Sequence, residues 1–171
     1  GLDWLRSLIP GAPKMTVLAA LLFTASSLLV LGFQHVRRRD PVGSFFIGTL
    51  TIGILTTVVF ECVSYISKQL VFENAALYNP EPGHPSPCTL TGFALVAIGG
   101  FAWAFRQWWT LRLLGASSAA IGVLAVIGYA FDVPHLYCYF GPDSTAMAFP
   151  TAICLVIVGM CEVLTGDTDR H

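Results

Sequence analysis

Glu61, His84, His135, Cys88 and Cys138 are the residues of this 171-residue chain whose side chains are best suited to bind or react. A carboxylate, two imidazoles and two thiols offer hard, borderline and soft donors. His84 and Cys88 fall in "GHPSPC", and His135 and Cys138 in "PHLYC". The two His and two Cys suit a zinc or copper site, and in an oxidising compartment Cys88 and Cys138 would equally suit a disulfide. Neither pair has the close spacing of a known metal motif, so no metal is assigned and unpaired residues are the default reading. Glu61 lies four residues before Tyr65 near the end of a long apolar run. A carboxylate there either faces a bundle interior or water in a functional role, or sits at headgroup depth as a structural hydrogen-bonding group. No Ser-His-Asp, Cys-His or phosphate-loop pattern occurs in a plausible context, so no catalytic residue and no enzymatic activity is expected.

The elements that position these residues follow from composition. Hydrophobic residues are 55% of the chain, charged residues only 11%, and mean hydropathy is +0.71. A soluble domain carries about 25% charge. Net charge is −1, which gives no reason to expect a nucleic-acid partner. The windows 15–33, 41–60, 88–105, 113–131 and 144–161 hold no Asp, Glu, Lys or Arg. Each approaches the roughly 20 residues that cross hydrocarbon as a helix. No window alternates polar and apolar residues as a membrane barrel strand does. The expected fold is therefore an all-α, polytopic transmembrane bundle in one domain, with spans at about 15–34, 42–66, 88–105, 111–131 and 146–164. None of the five charge-free windows contains His or Lys, so haem ligation between spans and a retinal Schiff base are both unsupported, and no cofactor is expected. Cys62, Cys154 and Cys161 fall in or beside apolar runs and read as packing residues.

Basic residues set the expected orientation. One set of connections carries Arg37, Arg38, Arg39, Arg106, Arg112 and Arg170; the other carries only Arg6, Lys14 and Lys68. The first set is expected in the cytoplasm, which places the carboxyl terminus there too and the Pro/Gly-rich loops in the periplasm of a bacterial inner membrane. Arg37, Arg38 and Arg39, beside His35, then contact anionic lipid headgroups. Trp108 and Trp109 anchor the inner interface and Trp4 the outer one.

"LIPGAPKM", "YNPEPGHPSP" and "YFGPDSTAM" are three similar Pro/Gly loops, each followed by an apolar run. Their spacing suggests tandem helical hairpins, with Ser86-Pro87 as a helix start. On this pattern the first hairpin lacks its outgoing helix, so a further helix is expected ahead of Gly1.

The segments "GLDWLRSLIPGAPKM", "FECVSYISKQLVF…SPCTLTGFAL" and "GYAFDVPHLYCYFG…TAMAFPTAICLVIVG" resemble the six-helix amino-terminal membrane domain of bacterial sensor histidine kinases and of PAS-, diguanylate cyclase- or phosphodiesterase-linked receptors. The likeness spans nearly the whole chain. It implies a sensory module, and a shared structural role for a Glu at the place of Glu61. In that family signalling modules follow the membrane domain, whereas this sequence stops at "TGDTDRH".

The expected function is thus a sensory or regulatory membrane module with no catalysis of its own, working in the bilayer as a homodimer. The alternative is a structural accessory subunit of a larger photosynthetic or respiratory complex, held to its partners by small residues such as those of "GASSAAIG".

Overall fold

The computed structural model describes residues 16–35, 41–71, 85–131, 133, 136 and 146–168, apart from the side chains of 68–71 and 167–168. They form α1 (Val17–His35), α2 (Pro41–Val71), α3 (Pro87–Ala104), α4 (Trp108–Ala130) and α5 (Phe149–Thr168). All five are long and apolar enough to cross a membrane. The all-α transmembrane bundle expected from composition is the observed fold, and the chain is a multi-pass membrane protein. The helix ends lie past several of the apolar windows: α2 continues to Val71, α4 already begins at Trp108, and α5 reaches Thr168. Apolar composition marks the hydrocarbon, whereas the backbone hydrogen bonds of a helix continue into the headgroup layer.

Contacts between helices fix their directions. Phe23 meets Phe93 with ring centroids 4.6 Å apart, and Phe33 stacks on Trp103 at 5.3 Å. Both partners advance by ten residues, so α1 and α3 run parallel. A Cβ on Gly92 would touch Leu155 and one on Gly99 would touch Glu162; both partners advance by seven, so α3 and α5 are parallel as well. Between α4 and α5 the order reverses: Gly115 faces Gly159 and Glu162, while Gly122 faces Ala152. The directions alternate as successive crossings require, and α3 packs against all four other helices.

Small residues set the closest approach. A Cβ on Gly159 would lie 2.5 Å from the Gly115 carbonyl oxygen, and one on Gly122 2.6 Å from that of Ala152. In hydrocarbon, where no hydrophobic force joins helices, such backbone contact and its dispersion energy hold the pair together. α2 is the opposite case. It buries a stripe of Ile47, Thr51, Ile54, Val58 and Glu61 and leaves Val42, Phe45, Phe46, Val59 and Phe60 exposed, the surface a bilayer covers.

Both ends of α3 have local causes. Ser86 is the N-cap, its hydroxyl accepting from the Thr89 N–H at 3.3 Å, with Pro87 in the first turn. At the other end the Arg106 N–H donates to the Trp103 carbonyl and the Gln107 N–H to that of Ala102. This is the Schellman arrangement, whose left-handed position is usually glycine. Here Arg106 holds it, at φ 60°, and the chain turns directly into α4.

Candidate functional site

Glu162 has 0% of its surface exposed. Neither carboxylate oxygen has a hydrogen-bond partner among the described residues. Three helices enclose it. From α3, a Cβ on Gly99 would stand 2.6 Å from Oε1 and 3.2 Å from the carboxyl carbon; from α4, a Cβ on Gly115 would stand 2.8 Å from the Glu162 Cβ. Glycine at these places leaves room for the carboxylate tip against α3 and for the Glu162 Cβ against α4. Thr165, one turn along α5, spends its hydroxyl on the Cys161 carbonyl at 2.8 Å. Ser118, three residues beyond Gly115, buries a hydroxyl that also lacks a partner among the described residues. Arg112 lies one turn from Gly115 in the other direction, on the side of Gly166, whose added Cβ would meet the Arg112 Cγ at 2.8 Å.

Depth matters for the cost of this arrangement. Glu162 is 13 residues from Phe149 and four from Gly166, or roughly 20 Å and 6 Å along the axis. It therefore falls inside the apolar span Phe149–Gly166, near the end where Arg106 and Arg112 lie. An ionised carboxylate with no partner at such a place costs several kcal/mol. Among the described residues no group of three His, Cys, Asp or Glu side chains could hold a metal.

Glu61 belongs to a different place. It is 9% exposed on the inward stripe of α2, 20 residues from Pro41, and so roughly 30 Å away along the helix, at the opposite boundary of the hydrocarbon. Its side chain lies on the inward stripe that α2 buries. Cys88 is half-buried in the first turn of α3 and packs against the core. Cys154 and Cys161 pack there too, whereas Cys62 is exposed rather than packed. Trp109 is 65% exposed at the start of α4, with Trp108 half-buried beside it. His84, His135, Cys138, Arg37, Arg38, Arg39 and Trp4 lie outside the described residues.

Sequence reasoning left Glu162 out of the candidate residues although it falls inside the expected 146–164 span, because it stands one residue past the charge-free window that ends at Cys161. The usable signal was its spacing. Gly159, Glu162 and Gly166 recur at three and four residues, which places a carboxylate on the small-residue face that packs a neighbour. No family model, curated protein or solved structure matches the chain.

Proposed function

We propose that the chain is a sensory or regulatory module of a bacterial inner membrane, without catalysis of its own, in which the packing of α5 on α3 and α4 has two arrangements. The observation that carries this reading is the enclosed Glu162 carboxylate, whose oxygens lack a partner among the described residues. A polar group kept in such surroundings lowers the stability of the packing it belongs to, and intramembrane carboxylates are kept where they work. The second arrangement places Glu162 near Arg112, the cation one turn from Gly115 on the facing helix. A slide of α5 by one turn, about 5 Å, joins the two, a known form of helix switching. The arginine-bearing end is cytoplasmic on the positive-inside bias, so the shift is delivered on the side where a signalling partner or the second subunit of a homodimer receives it.

A second reading, a structural subunit of a larger membrane complex, is favoured by the exposed apolar side of α2, with Phe45, Phe46 and Phe60. Purification from native membranes in mild detergent separates the two. A homodimer free of other proteins supports the regulatory module; a stoichiometric complex with other subunits supports the alternative and removes the first.

A further inference from the structure

Gly100, next to the Gly99 that backs onto Glu162, faces the other way and opens on a separate feature. Between the first turns of α2 and the last turn of α3 lies a cleft of about 280 Å³, lined by Ser44, Gly48, Thr51, Gly100, Trp103 and Arg106 among others. That is space for roughly nine waters at liquid density, too large for a packing defect. It begins at the helix ends and runs inward from Ser44 to Thr51, seven residues, or about 10 Å. The deeper lining is Ile47, Gly48, Gly100 and Thr51, whose hydroxyl is already spent on the Ile47 carbonyl at 2.8 Å; Ser44 and Arg106 stand nearer the helix ends.

We propose that this cleft holds an anionic membrane phospholipid, its phosphate at Arg106 and Ser44 and the start of an acyl chain along Ile47 and Gly48. Among the described residues Arg106 is the single cation of the lining, and no acidic residue shares it. Its guanidinium and the Ser44 hydroxyl have no hydrogen bond or ion pair among the described residues. The polar mouth at the boundary and the apolar depth match the two halves of a lipid, and basic pockets between spans are where anionic headgroups bind. Free phosphate would leave the depth empty. Phe101 and Phe105 on the α3 flank are exposed, so a lipid enters sideways from the bilayer. An arginine in the left-handed position that favours glycine is explained by this contact: it places the charge at the mouth. The inference holds whether the bundle reports a signal or supports an assembly.

Native mass spectrometry of the purified full chain, titrated with phosphatidylglycerol, phosphatidylcholine or inorganic phosphate, tests it. The expected result is one phosphatidylglycerol retained roughly fivefold over phosphatidylcholine, the effect of one basic residue at a membrane surface. Arg106→Gly, which suits the backbone, and Gly48→Leu, whose Cβ meets nothing within 4 Å, are each expected to abolish the preference, and Arg106→Lys to keep it. Equal retention of the two lipids by the natural chain overturns the proposal, as does an undiminished preference in Arg106→Gly and Gly48→Leu. Inorganic phosphate competing as well as phosphatidylglycerol overturns the lipid as occupant. Should a variant fail to fold, the comparison of lipids on the natural chain still decides.

Discussion

A Cβ on Gly99 would stand 2.6 Å from Glu162 Oε1, so the glycine of α3 and the carboxylate of α5 occupy one space that neither helix could fill alone. Gly99→Ala is expected to destabilise the bundle by about 1–3 kcal/mol through overpacking. Glu162→Ala in the same chain makes room for the methyl, and the double variant should recover part of the loss, with a coupling of about 0.5–3 kcal/mol. Thermal unfolding in detergent, followed by circular dichroism, measures all four corners of the cycle. Strict additivity would show that the two residues do not share the space.

Replacing Glu162 with an apolar side chain of similar length should help stability and harm function. Glu162→Met removes a buried carboxyl that has no hydrogen bond among the described residues and keeps the volume, so it should relieve about 1–3 kcal/mol of desolvation cost. The unfolding midpoint should therefore rise. A fall would mean that the carboxylate has a stabilising partner.

The α4–α5 seam should tolerate nothing larger than glycine at its tightest points. Gly159→Val would drive methyls into the backbone of Gly115 and Ala119, with an expected cost of at least about 3 kcal/mol. Gly53 on α2 has open space around it, so Gly53→Ala should be neutral or stabilise by roughly 0.5–1 kcal/mol through backbone entropy. Midpoints of the two variants, measured side by side, give the contrast.

The helix ends make a smaller prediction. Ser86→Ala removes the hydroxyl that accepts from Thr89 N–H and should cost about 1 kcal/mol. Hydrogen exchange at the first turn of α3 should rise in step.

Five crossings were legible because burying charge in hydrocarbon is costly, and the charge-free windows record that cost directly. Ser86-Pro87 marked the start of α3 for an equally local reason. What stayed hidden depends on partners distant in the chain. Glu162 becomes special only when Gly99 and Gly115, 63 and 47 residues away, close on it. Arg106 carries no mark of a left-handed conformation, since an exposed arginine usually signals only a boundary. Thr51 reads as an ordinary membrane hydroxyl until Gly100 is set against it.

The central claim is that α5 has two positions along α4, governed by Glu162. Spin labels at Leu124→Cys and Leu164→Cys, both at exposed sites, report that slide by double electron–electron resonance in bilayers, in a background without the native cysteines. Two distance populations separated by about 5 Å, one helical turn, are predicted for the natural residue, with only one left in Glu162→Met. A single distribution, identical in both chains, would contradict the account.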